Sequence, residues 1–499
     1  MAISQNEDAL KYAATITKED AFDKLSIIAS DAMEGRETGQ RGQKMAAAFI
    51  EYHFKQLGLL PPVKTKAGMS YRQNVPLTQS SPGEIYIKVG DEKLINGTDI
   101  LYRGRNNMLE EMTNDVIFAG GGLDENFEGL EVKDKAVLMF AGTNFSEWRP
   151  KLSAARDRGA SIVFLVAADN DNDFKALVER FGRSFSRGSM SLKSEGSEGK
   201  NTNPGYFMVS PSTAGKIFNT TSDKLSKAIE DQKEGKKNAL KKIKKGSVTF
   251  KTERIVKDVS SENILGYLEG TDKKDELIII TAHYDHIGKN GDAINNGADD
   301  DGSGTITVLE LAEAFVQAKN DGKGPRRSIL FMTVTGEEKG LLGSEFYTDN
   351  PVFPLESTVV DLNVDMIGRI DPKHKENPNY IYLVGSNRLS TELHEISEKV
   401  NETFTQFELD YEFNDESHPD RFYYRSDHWN FAKNNVPIIF YFNGTHEDYH
   451  RETDTVDKID FDLLVKRGKL VFHTAWVLAN REERLVVDVI QGTKLDSKD

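Results

Sequence analysis

Five short apolar runs in the second half of the chain constrain its fold more than any other feature. They are LIIITA (277–282), SILFMTV (328–334), TVVDLNV (358–364), YIYLV (380–384) and VPIIFYF (436–442). Runs of this length with little polar alternation are what strands covered on both faces look like. Helical stretches separate them, one beginning near Ser303 (SGTITVLELAEAFVQA) and another near Lys339. A last one, FDLLVKRGKLVFHTAWVLANRE, follows the final run. This alternation predicts an α/β domain from Asn263 onward, with a central sheet flanked by helices.

The first part of the chain reads differently. DAMEGRETGQRGQKMAAAFIEYHFKQLGLLPP is a glycine-punctuated loop followed by a helix from about Gln43 to Gln56, with Met45, Ala46, Phe49, Ile50, Phe54 and Leu57 at helical spacing. From about Ser70 to Arg254 the texture becomes short β-rich pieces: EIYIKVG, DVIFAGGG, KAVLMFAG and SIVFLVA. One short helix, WRPKLSAARDRGA, lies between the last two. The expected organisation is therefore an N-terminal segment of the main domain (18–69), an inserted β-rich domain (70–254), the α/β domain proper (255–485) and a charged tail (486–499). The basic run KKNALKKIKKGS near the end of the insert reads as a solvated face.

At 499 residues the chain is long enough for two domains. A net charge of -16 argues against nucleic acid as a partner, since phosphate would be repelled. No run of about 18 apolar residues predicts a membrane span. Cysteine is absent, which excludes thiol catalysis, disulfides and thiolate-bound metal, so any metal must sit on histidine and carboxylates. The opening MAISQNEDALKYAATITKED shows no basic segment leading into an apolar one, so no signal peptide is visible. Oligomeric state is not legible.

Polar residues that carry chemistry fall just beyond the predicted strands, where open α/β sheets place their ligand sites. LIIITA runs into His283-Tyr284-Asp285, whose first and third side chains share a face, so His283 can bind a metal while Asp285 steadies it. NNGADDDGSG sets three aspartates at a helix start, where they either cap the helix or gather around a cation. TVTGEEKGLLGS presents Glu337 and Glu338, whose side chains diverge. One can ligate while the other acts as a base, or both can simply favour a helix start. Asp365 closes another strand, and His450 stands four residues before Asp454.

GTHEDYH (444–450) contains H-E-x-x-H, a pattern that on a helix holds zinc. Here it follows a strand and the turn-forming Asn443-Gly444, and no apolar helical stripe continues past it. The match is read as accidental.

The order H-x-D, D-D-x-S-G, E-E, D and H over Asn263–Asp460 resembles the M28 family of dinuclear zinc aminopeptidases, and EGRETGQRGQ extends the likeness. The insert resembles a protease-associated (PA) domain through GLEVKDKAVLMFAG and AARDRGASIVFLV. What the resemblance implies is specific. His283 and Asp365 would bind one zinc ion, Glu338 and His450 a second, and Asp300 would bridge them. Asp299 and Asp301 are not implied as ligands. Manganese or cobalt suits the same donors. Glu337 would be the general base and Tyr449 would hydrogen-bond the oxyanion. YYRSDHWNF resembles a pocket-lining element with Arg425, Asp427 and His428 as substrate-binding candidates. The remaining histidines, including His286, His394 and His473, read as ordinary surface or helix residues. The implied function is an exported, periplasmic or secreted, aminopeptidase acting on peptides. A carboxypeptidase, dipeptidase or deacylase on the same scaffold is the alternative, and a non-catalytic receptor-like protein a remote one.

Overall fold

The computed structural model describes residues 6–104, 106–185, 188–193, 205–236, 239–415 and 417–489. The chain divides into two units, 1–77 with 259–499, and 78–258.

The first unit is α/β. Its helices include α1 (Lys18–Ile28), capped by Thr17, and α2 (Arg41–Gln56). Its strands are β1 (Gly246–Leu268, of which the C-terminal part belongs here), β2 (Lys273–His283), β3 (Arg327–Val334), β4 (Thr358–Val364), β5 (Tyr380–Val384), β6 (Glu408–Asp410) and β7 (Ile438–Phe442). They line up in the order β6-β5-β7-β4-β2-β3-β1. β2 is parallel to β3 and β4, and β4 to β7, while β1 runs antiparallel to β3 and β5 antiparallel to β7. The five apolar runs are thus all strands of one mixed sheet.

Alternate residues of β2 explain why the runs show no polar face. Ile278 and Ile280 pack with Leu309 and Phe315 of α3 (Gly304–Asn320) and Phe472 of α4 (Phe461–Asn480). Leu277 and Ile279 face the other way, into a cluster with Leu330, Met332, Tyr347 and Phe431. Both faces are covered, so both must be apolar. Truncating one such side chain to alanine costs about 2–5 kcal/mol.

The second unit begins at Thr78 rather than at 70. Tyr71 still belongs to the first: its carbonyl accepts from Leu265 N at 2.8 Å, and its hydroxyl donates to the Leu59 carbonyl at 2.6 Å. The unit holds a parallel ladder of Met108–Phe118, Ala136–Phe140, Ile162–Val166 and Tyr206–Val209, with Leu101–Arg103 antiparallel at its edge. It also carries more helix than its sequence texture suggested. Besides Trp148–Asp157 there are helices at Asp171–Phe185, Pro211–Ile217 and Ser222–Lys233, the last two capped by Ser210 and Thr221. The spacing of Phe174, Leu177, Val178 and Phe181 is a helical stripe, concealed by the charged residues between them. In the basic run, Lys237 and Asn238 lie outside the described residues, while Leu240 is buried. Residues 490–499 of the expected tail also lie outside them. Among the described residues no helix is long and apolar enough to cross a membrane.

Candidate functional site

Parallel strands deliver their carboxyl ends to one edge, and here the chain reverses its direction across the sheet. β3 lies on one side of β2 and β4 on the other, which opens a crevice at the end of β2. His283 stands there, 1% exposed. Its Nδ1 lies 3.0 Å from the Asp285 carbonyl oxygen. With that nitrogen donating, Nε2 turns its lone pair toward Asp300 Oδ1 at 3.3 Å and Asp365 Oδ1 at 3.6 Å.

The Asp285 carboxylate is 3.9 Å from the imidazole and does a different job from the one its spacing suggested. Oδ2 accepts from Thr38 Oγ1 at 2.6 Å and Oδ1 accepts from the Glu337 N–H at 3.2 Å. It is the backbone carbonyl of Asp285 that orients His283, while the side chain ties down the turn carrying Glu337.

The aspartate triplet separates into distinct roles. Asp301 accepts from three backbone amides, those of Gly304, Met366 and His283. Asp299 accepts from Gly368 N at 2.6 Å, and its Oδ2 meets His446 Nε2 at 3.2 Å. Asp454 accepts from the amides of Asp299 and Asp300 and so pins this loop from the other side. Only Asp300 is left facing the crevice. One of its oxygens is turned to His283, and the other lies 3.1 Å from His450 Nε2 and 3.8 Å from His286 Nδ1.

Glu338 Oε2 is 3.2 Å from His450 Nε2, and its Oε1 is 2.8 Å from His286 Nδ1. The stretch around His450 is a turn, with φ +58° at His450 itself. A zinc-binding H-E-x-x-H helix is therefore absent here. Asp365 is fixed by Ser426, whose hydroxyl donates to Oδ2 at 2.7 Å and accepts from Asn363 at 2.9 Å.

Electrostatics follow from this crowding. Burial opposes ionisation of Asp300, yet the closely approaching imidazoles of His283 and His450 and the nearby charge of His286 hold it well below the usual carboxylate range. Burial and the Asp300 charge likewise work against Glu338, but His286 and His450 bring it down to about 2. His450, despite its own burial, is raised to about 10 by Asp300 and Glu338. Glu337 moves the opposite way. Burial pushes its carboxyl well above the ordinary range against the pull of His283, and the charges of Glu338 and Asp427 add to the rise.

Buried polar atoms are nearly always paired, so those that are not point to a missing partner. Asp300 Oδ2, Glu338 Oε1 and both ring nitrogens of His286 are buried without a hydrogen bond. Two groupings of ligating atoms, His283 with Asp301 and Asp365, and His286 with Asp300 and Glu338, are tight enough to hold a metal ion, although Asp301 already accepts from three backbone amides. Imidazole and carboxylate donors fit zinc, and also manganese or cobalt. A third acidic group, Asp20, Glu310 and Glu313, is already filled by the Lys24 ammonium at 2.7–2.9 Å.

His283, Asp300, Glu337 and Asp365 line a pocket whose remaining wall includes Met366, Phe422, Phe440, Phe442 and Tyr449, with exposed Arg425 at its edge. Asp427 and His428 do not reach it. Asp427 accepts from the Ser344 hydroxyl behind Glu337, and burial raises it to about 7. His428 stacks on Phe440 and bonds the Tyr423 carbonyl at 2.8 Å through Nε2. Both sit on the short helix His428–Ala432 or at its start, which turns them inward.

Four residues were not legible as site residues. His286, expected to be an ordinary surface or helix residue, is fully buried against the cluster. Its only signal was its place directly after H-Y-D. Thr38 and Ser426 each donate one hydroxyl hydrogen bond to a site carboxylate, Asp285 and Asp365 respectively. Arg36, also fully buried, donates to four carbonyls, those of Ile28, Tyr284, Asn296 and Gly297. It thereby joins the loops that carry His283 and Asp300. The preceding Gly35 (φ +67°) admits no side chain, because a Cβ would come within 2.5 Å of the Asn295 carbonyl.

An α/β sheet with a buried histidine–carboxylate cluster at its carboxyl edge is an arrangement whose donors can hold metal ions. Residues 263–475, somewhat less than half of the chain, match the model of peptidase family M28. A probable leucine aminopeptidase of Arthroderma otae is 30% identical over 236 residues, 46% of this chain and 61% of that protein. Aminopeptidase Y of Saccharomyces cerevisiae is 26% identical over 249 residues, 48% of this chain and 42% of its own length. The chain thus spans less than two thirds of these relatives. In structure it resembles an aminopeptidase from Aneurinibacillus sp. strain AM-1, with a TM-score of 0.59, 18% identity, and coverage of 97% and 98% of the two chains. A zinc aminopeptidase from Bacillus subtilis gives a TM-score of 0.51 at 18% identity, covering 95% and 98%. These likenesses concern the fold.

Proposed function

We propose that this chain is a metal-dependent aminopeptidase that removes N-terminal residues from peptides. The observation that carries the reading is the division of Asp300, one oxygen toward His283 and the other toward His450, beside the protonatable Glu337 in an open pocket. His283, Asp300 and Asp365 would hold one zinc ion, and Asp300, Glu338 and His450 another. When bound, such ions supply Lewis acidity toward a peptide carbonyl and make water acidic enough to ionise near neutral pH.

The chain's own residues account for the rest. Glu337 takes the proton from the attacking water and returns it to the departing amine. Its upward-shifted carboxyl suits a group that must hold that proton between the two steps. Burial keeps the Tyr449 phenol protonated, so its hydroxyl is available to the carbonyl oxygen as negative charge develops there. Met366, Phe422, Phe440 and Phe442 offer an apolar wall to the side chain of the first residue, which favours leucine-like or aromatic residues over charged ones. Arg425, at the edge, is placed to meet polar groups of the peptide. The second unit we read as a protease-associated insert, on the likeness of its sequence phrases.

The deciding experiment compares one short peptide with a free N-terminus against its N-acetylated twin. Release of the first residue from the free peptide alone is expected. Equal cleavage of both would remove the aminopeptidase reading in favour of a carboxypeptidase or deacylase.

A further inference from the structure

His286 stands apart from the ligand set that the sequence implied, yet it occupies the same cluster. It is fully buried, and neither ring nitrogen has a hydrogen-bond partner. Its Nδ1 is 2.8 Å from Glu338 Oε1, but the two atoms are not aligned as donor and acceptor, and Glu338 Oε1 is itself unpartnered. Asp300 Oδ2 lies 3.8 Å from the same nitrogen and is also without a hydrogen bond.

A buried imidazole gains nothing by leaving both nitrogens idle, and one packed for bulk alone would be served by an apolar residue. Nor is the ring free to turn away. Its backbone N–H is held by the Arg36 carbonyl at 3.2 Å, and Gly297 sits so close that a Cβ there would fall 2.6 Å from His286 Cδ2. The His450 ring approaches edge to face at 5.7 Å from the other side of the carboxylates. Two imidazoles thus converge on Asp300 Oδ2 and Glu338 from different directions, whereas His283 is the lone imidazole on the other oxygen of Asp300.

We propose that His286 is an additional protein ligand of the cation held by Asp300, Glu338 and His450, making the two cation sites unequal. The imidazole-rich site binds zinc or cobalt more tightly, prefers them over manganese, and empties last under a chelator. This rests on the metallopeptidase reading above, and the test keeps the two apart.

Zinc content and affinity would be measured by elemental analysis and chelator titration for the wild type, His286→Ala and His286→Asn, with circular dichroism of the metal-free proteins to establish folding. Two bound ions in the wild type, with one weakened about tenfold or more in the variants and the other unchanged, is the expected result. Identical stoichiometry and affinities in wild type and variants would overturn the proposal while leaving the peptidase reading intact. A wild type that binds no metal would overturn both. Should neither variant fold, X-ray absorption of the zinc-loaded wild type decides it by counting imidazoles: three shared between two ions supports the proposal, two refutes it.

Discussion

Thr38 Oγ1 donates to Asp285 Oδ2 at 2.6 Å, and the other oxygen of that carboxylate accepts from the Glu337 amide at 3.2 Å. A threonine from the N-terminal loop therefore governs, through one buried carboxylate, where the proposed general base stands. Thr38 is itself fully buried, so water cannot stand in for its hydroxyl.

Thr38→Val keeps the shape and removes the donor. It leaves Asp285 Oδ2 unsatisfied, at a cost of about 2 kcal/mol in stability, and kcat is expected to fall about tenfold or more. Thr38→Ser restores both. A valine variant with unchanged kcat in steady-state assays would show that Asp285 needs no such anchor.

Glu337→Gln preserves size and removes the proton acceptor. Turnover is expected to drop about 100-fold or more, with bound metal unchanged by elemental analysis. Appreciable remaining activity would move the base elsewhere in the pocket.

Arg36→Lys tests the clamp. One ammonium cannot serve four carbonyls in different directions, and each buried acceptor left unpaired costs about 1–3 kcal/mol. Denaturant unfolding is expected to show a loss of at least about 3 kcal/mol, with weaker metal retention because the loops of His283 and Asp300 are released together. A loss below about 1 kcal/mol would mean that water replaces the guanidinium.

His473 offers a pH test far from the site. Buried on α4 and stacked on Phe404 at 3.9 Å, it has its pKa pulled down to about 4 by burial, with Lys469 adding to the effect. The unfolded chain, titrating near the ordinary 6.5, takes up the proton first as pH falls. The neutral ring's contribution is therefore complete above about pH 6.5 and is lost between there and about 4. The full span is worth about 3 kcal/mol. His473→Leu should flatten the stability profile over that window. An unchanged difference between pH 7 and pH 4.5 in denaturant melts would contradict the assignment.

Much of this protein was legible in its sequence for a simple reason. Strands covered on both faces must be apolar throughout, so LIIITA, SILFMTV and TVVDLNV announce a sheet core without reference to anything distant. A charged residue directly after such a strand, His283 or Asp365, stands out against that background. The Asn443-Gly444 turn also announced that H-E-x-x-H was no helix. Each of these signals is local.

What only the tertiary structure decided depends on residues far apart in the chain. Nothing in GRETGQ says that Arg36 will reach the carbonyls of Tyr284 and Gly297, or that Thr38 will meet Asp285. Which aspartate of three faces the crevice was set by backbone amides from Gly304, Met366 and Gly368 that claim the other two. Asp427 and His428 looked like pocket residues until the short helix turned them inward. His286 looked like an ordinary surface or helix residue until folding left it buried against the cluster. Hydrogen bonds and buried charge act through space. Their partners here lie up to 261 residues away, beyond anything that spacing along the chain can reveal.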